Sequence, residues 1–140
     1  MIIKMNKEQI LEILHDWNFW KKELGTGIQR KDYIQKCLRI LRTNVIAAII
    51  GIRRAGKSYI MRQLIRKLIE DGVESKNILM VNFEDSRFTE FYPKLLDEIY
   101  ETYLEYLRPA KEQFIFLDEI HAIPKWERWV RTMQELGKAK

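Results

Sequence analysis

Between Val45 and Met61 the chain reads VIAAIIGIRRAGKSYIM. An apolar run meets a glycine, two arginines follow, and a second glycine leads into a lysine, a serine and an amphipathic continuation. The span Gly51-Ile52-Arg53-Arg54-Ala55-Gly56-Lys57-Ser58 fits the spacing G-x-x-x-x-G-K-[ST], the Walker A pattern. Each position has a chemical reason. Gly51 and Gly56 permit backbone conformations and close approaches that a Cβ would block. Successive main-chain N–H groups, up to that of Tyr59, can then turn toward phosphate oxygens. A helix starting near Lys57 adds its unpaired N–H groups and the positive end of its dipole. Lys57 suits the β- and γ-phosphates, and the Ser58 hydroxyl suits Mg²⁺. From average residue usage, a chance match in a chain of this length has a probability of roughly 0.3%. An apolar strand before and an amphipathic helix after make a plain strand-to-helix turn the weaker reading. Arg53 and Arg54 are not set by the pattern; phosphate, a neighbouring subunit and solvent all suit them.

Phosphate binding alone hydrolyses nothing; a metal anchor and a group that orients water are also required. The stretch FIFLDEIH offers both. A carboxylate at the tip of a buried parallel strand reaches the sheet edge where such folds bind ligands. Asp118 is the expected Mg²⁺ ligand, and Glu119 the expected water-orienting base. A glutamate directly after the metal aspartate favours an ATP hydrolase over a small-molecule kinase or a GTPase. Asn82, ending the apolar run LMVNF, is placed to hydrogen-bond Glu119 or simply to close a strand. Glu84 and Asp85 follow it and could sense the site from the side. His121 reads as an exposed residue after the strand.

Several elements must position these groups. Asn6 with Gln9 makes a capping box, and Ile10, Leu11, Ile13, Leu14 and Trp17 continue at helical spacing. WNFWKKELGTG ends that helix. Its Trp17, Phe19 and Trp20 are more readily explained as docking the helix than as stacking on bases. A second helix is expected over 30–41, with Tyr33, Ile34, Cys37, Leu38 and Leu41 on one face. Val45 to Ile50 reads as a strand buried on both faces. A helix from Ser58 to Ile69 turns Ile60, Met61, Leu64, Ile65, Leu68 and Ile69 inward and stops at Asp71-Gly72. Asn77 to Phe83 is a second strand. Pro93 to Leu107 is a helix with Leu95, Leu96, Ile99, Tyr103 and Tyr106 along its stripe. Gln113 to Leu117 is a third strand. Pro124 opens a last helix with Trp126, Trp129, Val130, Met133 and Leu136 inward, ended by Gly137. Alternation of strands and helices predicts a parallel α/β sheet.

Composition narrows the classes. The 140 residues, 46% of them apolar, can build one domain with a core. The net charge of +5 is uneven: nine Lys/Arg against five Asp/Glu over residues 1–44, sixteen against fifteen over 45–140. Affinity for DNA or an acidic partner would therefore sit in the N-terminal third. Cys37, the single cysteine, excludes an internal disulfide and reads as a buried structural thiol. The N-terminus lacks a signal-peptide core, and the longest apolar run is far below the roughly 20 residues of a membrane span. A soluble, cytoplasmic protein without membrane contact is the expectation.

GIRRAGKSYIMRQLI, VNFED and FLDEIHAIPKWERWVRTM together resemble the prokaryotic, often archaeal, AAA-type P-loop ATPases. The upstream TGIQRKDYIQKCLRIL resembles the segment that precedes the phosphate loop in that family and helps wall the adenine pocket. The resemblance spans about residues 17 to 136. It implies ATP and Mg²⁺ as cofactors, nucleotide contact by Gln29 and Arg30, and a polar switch residue at Asn82. The fold it implies is a three-layer P-loop NTPase, a parallel sheet flanked by helices. Residues 1–44 would form an N-terminal helical segment and 45–140 the ATPase core. Such ATPases continue with a fourth strand carrying a water-sensing residue, a fifth strand and a helical lid. The fourth strand lies between the phosphate-loop and metal strands, so the fold is incomplete here, and the 140 residues are expected to be the N-terminal portion of a longer protein.

The leading expectation is Mg-dependent ATP binding and hydrolysis that drives a conformational change. Lys57 and Glu119 are its catalytic residues, Ser58 and Asp118 its metal ligands, and Gly51 to Tyr59 its phosphate cradle. A nucleotide-dependent module that contacts DNA or protein with little turnover is the second reading. A P-loop kinase is the third. A homo-oligomer is open, and the process that ATP would serve is not legible.

Overall fold

The computed structural model describes residues 5–22, 24–25, 31–41, 57–110 and 112–137; of Lys31, Tyr33, Ile40, Lys57 and Ser58 the backbone alone is described. The expected strand Val45–Ile50 lies outside these residues. Helix α1 spans Lys7–Trp17, α2 Lys31–Leu41 and α3 Lys57–Glu70. Strand β1 spans Ile78–Asn82, α4 Leu95–Leu107, β2 Phe114–Asp118 and α5 Trp126–Glu135.

Local chemistry sets the helix ends. The Asn6 side chain accepts from Gln9 N at 2.8 Å, and Gln9 Oε1 accepts from Asn6 N at 3.0 Å, completing the capping box. Helix α3 closes in a Schellman motif: Val73 N donates to Leu68 O and Gly72 N to Ile69 O. Gly72 takes a φ of +105°, which glycine alone adopts at little cost. At the end of α5 Gly137 takes a φ of +63° and its N donates to Gln134 O at 3.0 Å.

β1 and β2 pair in parallel, joined through α4, in the register Ile78↔Phe114 to Asn82↔Asp118. Alternation along the strands splits the core in two. Leu79, Val81, Ile115 and Leu117 meet α1 and α4 through Ile10, Ile13, Leu14, Leu95, Leu96, Ile99 and Tyr103. Ile78, Met80, Phe114 and Phe116 meet α2 and α3 through Ile34, Leu38, Ile60, Met61, Leu64, Ile65 and Leu68. Helices thus cover both faces of a parallel sheet, a mixed α/β arrangement compatible with part of a P-loop-like fold.

The outer edge of β1 is closed by side chains. Asn18, 2% exposed, accepts from Met80 N at 2.7 Å and donates to Met80 O at 2.9 Å. Trp20 Nε1 donates to Ile78 O at 2.8 Å and its ring stacks on Tyr103. Asn18 and Trp20 therefore do for β1 what a neighbouring strand would, and an edge of unpaired N–H and C=O groups is avoided. Trp17 and Trp20 also pack against the α1/α4 core and Phe19 against the α2/α3 core, in keeping with the docking reading, which did not include the edge cover.

The predicted faces need four corrections. Tyr106 (47% exposed) and Leu136 (60% exposed) leave the stripes assigned to them. Each falls in or just beyond its helix's last turn. Thr102 is buried in α4, its hydroxyl returning a hydrogen bond to Glu98 O. Cys37 is half-buried rather than buried, and partial burial raises its thiol pKa.

Candidate functional site

Asp118 is the last residue of β2 and is 2% exposed. Alternation places it on the same face as Phe114 and Phe116, the face that carries α3. Asn82, the last residue of β1, is its registered partner on that face and is also buried. Asn82 Oδ1 accepts from Glu84 N at 3.0 Å, an Asx turn that ends the strand, and Phe83 N donates to Asp118 O across the pair. Helix α3 begins at Lys57, so the backbone of Lys57 and Ser58 opens the helix that packs on the face of Asp118.

Glu119 leaves the strand in the left-handed region, at φ 58° and ψ 37°. A non-glycine residue pays for that conformation, and such outliers concentrate at functional sites. A short 3₁₀ turn, Ile120–Ala122, follows. Ile120 and Ile123 pack into the α1/α4 core and hold the turn in place. The carboxylate of Glu119, 11% exposed, lies with Oε2 3.2 Å from Nε2 of His121, whose side chain is 75% exposed.

Tyr59, one residue beyond Ser58, is half exposed, and the Arg62 guanidinium lies 5.5 Å from its ring centroid and 5.5 Å from that of Trp17. Arg62 Nη1 also donates to Gly25 O at 3.0 Å. The first turns of α3 are thereby tied to the segment that follows α1. Spacing gave no sign of that tie, because Arg62 occupies an ordinary polar position of an amphipathic helix.

Asp85 is anchored rather than poised to sense a ligand. Its Oδ2 accepts from Trp17 Nε1 and from Arg87 Nη2, each at 2.7 Å, and its Oδ1 accepts from Arg87 Nε at 2.9 Å. The Arg87 guanidinium, aided by the Trp17 N–H and opposed by burial, holds the Asp85 carboxyl well below the usual carboxylate range. Arg87 Nη1 continues to Asp16 at 2.9 Å, so the network straps α1 to the turn after β1.

Of the expected site residues, Gly51, Ile52, Arg53, Arg54, Ala55, Gly56, Gln29 and Arg30 lie outside the described residues, as do the side chains of Lys57 and Ser58. Of those described, Asn82, Asp118 and Glu119 gather at one end of the strand pair and Tyr59 lies in the first turn of α3; His121, read as an exposed residue, stands beside Glu119. A Mg²⁺ ion is commonly held by one or two carboxylates together with substrate phosphates, not by an all-protein cage. Among the described residues no three His, Cys, Asp or Glu side chains form such a cage, and the buried oxygen donor Asp118 fits the single-carboxylate case. Among the described residues no helix is long and apolar enough to cross a membrane.

Comparison with known proteins agrees with this arrangement. A family model described as "AAA domain" matches residues 43–140. The chain is 31% identical over 108 residues to an uncharacterized protein of Haemophilus influenzae, a match covering 76% of this chain and 26% of that protein. It is 33% identical over 94 residues to an uncharacterized protein of Methanocaldococcus jannaschii, covering 67% of this chain and 20% of the relative. The chain therefore spans about a quarter or less of the length of these relatives. No solved structure matches it. With the family model covering most of its length, and with a buried aspartate ending a parallel strand on the face of α3, the chain belongs to the AAA domain family of nucleotide-binding, ATPase-type modules.

Proposed function

We propose that this chain binds Mg-ATP and hydrolyses it, and that the cycle drives a conformational change in the protein to which the domain belongs. In this reading the backbone from Gly51 to Tyr59 cradles the phosphates. Lys57 neutralises the transferred phosphoryl group, Ser58 and Asp118 hold Mg²⁺, and Glu119 orients the attacking water. Gln29 and Arg30 contact the nucleotide. Residues 45–140 form the core of a three-layer P-loop NTPase fold, and residues 1–44 a helical segment packed on it. When bound, the metal supplies charge neutralisation to the phosphates. The observation that carries the reading is the register Asn82↔Asp118, which supports a buried carboxylate on the α3 face at the end of a parallel pair. The adjacent Glu119 favours hydrolysis over kinase chemistry.

The test is calorimetry and turnover on two variants. Lys57→Ala should abolish the binding heat of Mg-ATP. Glu119→Gln should keep it while phosphate release falls at least a hundredfold, a loss of the size that removing a general base produces. Normal turnover by Glu119→Gln would refute the role given to that residue, and tight binding without turnover by the unaltered chain would favour a nucleotide-gated binding module.

A further inference from the structure

We propose that His121 is a positioning residue for Glu119, selecting the orientation of the carboxylate that acts on water; this rests on the ATPase reading above. The backbone supplies the means. Glu119 adopts the left-handed conformation, Ala122 N donates to Glu119 O at 3.2 Å, and Ile123 N to Ile120 O at 3.0 Å. This tight turn brings residue 121 back over residue 119. Burial of Ile123 and packing of Ile120 against the core fix the turn from below, while His121 stands on the rim. Nε2 of His121 lies 3.2 Å from Oε2 of Glu119, close enough for an N–H on that nitrogen to bear on the carboxylate.

A glutamate has several rotatable bonds, and a water-activating carboxylate needs one orientation. Catalytic bases are accordingly held by a third group that selects their geometry. Because the His121 side chain is 75% exposed, solvent screens this contact and it contributes little to stability. Its consequence falls on turnover instead.

Two measurements test the proposal. The chain holds only two histidines, so His15 serves as an internal reference for His121 in ¹⁵N NMR of the nucleotide-free protein. Glu119→Gln should move the His121 Nε2 resonance and leave that of His15 in place; an unmoved His121 overturns the contact. In Mg-ATP turnover, His121→Ala should lower kcat about tenfold, the scale of a misoriented catalytic group, with KM and thermal midpoint unchanged. His121→Gln, which keeps an N–H donor, should recover most of the loss. His121→Ala on the Glu119→Gln background should add no further loss, since the two act as one unit. Unchanged or raised kcat in His121→Ala, or equal losses in both backgrounds, overturns the proposal. Normal turnover by Glu119→Gln sinks the ATPase role of Glu119 itself. The NMR measurement, which needs no nucleotide, tells that failure from this one.

Discussion

Asn82 and Asp118 end β1 and β2 as registered partners of the parallel pair, and both are buried on the face that packs against α3. Thirty-six positions separate them in the chain. Their juxtaposition follows from the apolar alternation of both strands, since a shift of one residue would turn each to the opposite face.

Asp118→Asn keeps the shape of the side chain and removes its charge. If Asp118 holds Mg²⁺, the variant should bind ATP equally with and without magnesium, having lost at least tenfold in affinity for the metal complex. Saturating Mg-ATP at about a hundred times its Kd should stabilise the unaltered chain by about 2.7 kcal/mol. About half of that gain or more should vanish in the variant, since a tenfold weaker Kd leaves only about 1.4 kcal/mol. Thermal unfolding with and without magnesium measures both.

Asn18→Ala should destabilise the chain without touching the site. The substitution leaves the N–H and C=O of Met80 without their side-chain partners. Each unsatisfied buried group costs roughly 1–3 kcal/mol, so a loss of about 3 kcal/mol is expected. Urea unfolding provides the measurement, and a change under 1 kcal/mol would show that the edge is closed by other means. Asn18→Asp should be no milder, because it keeps the acceptor, loses the donor and buries a charge.

Asp85 sets an acid limit. Its carboxyl is held below the ordinary carboxylate value by Arg87, then Trp17, against burial. A carboxyl depressed in the folded state contributes stability that is fully present above its unfolded pKa near 3.8 and is lost as pH falls below that toward the folded value. Because the Arg87 side chain is 38% exposed, screening limits the contribution to on the order of 1 kcal/mol. Stability measured from pH 5 downward should fall less steeply in Asp85→Asn than in the unaltered chain. Equal slopes would remove Asp85 from the acid-labile groups.

Much of this arrangement was legible because it is local. The capping box needs only Asn6 and Gln9, and the stop after α3 needs a glycine able to take positive φ. The apolar spacing of α3 named its buried face, and the strand ends named Asp118, Glu119 and Asn82. Tyr106 and Leu136 escaped because helical periodicity tells which side of a helix is apolar, not how far the layer beneath extends. Asp85 read as a residue that could sense the site because one of its partners, Trp17, lies 68 residues away in the chain.

Asn18 and His121 mark the boundary most clearly. Asn18 sits in an aromatic segment whose spacing suggests docking, yet its amide serves a strand 62 residues away. His121 follows a strand like any exposed residue, and only the left-handed turn at Glu119 brings the two side chains together. Residue types and spacings by themselves determined the chemistry to look for, the Walker A spacing, a strand-end carboxylate pair and the helices around them. The tertiary structure decided which face Asn82 and Asp118 share, what closes the strand edge and which side chain stands beside Glu119. The physical reason is range: caps and periodicity are settled within a few residues, whereas register, edge pairing and burial depend on segments that meet only when the chain has folded.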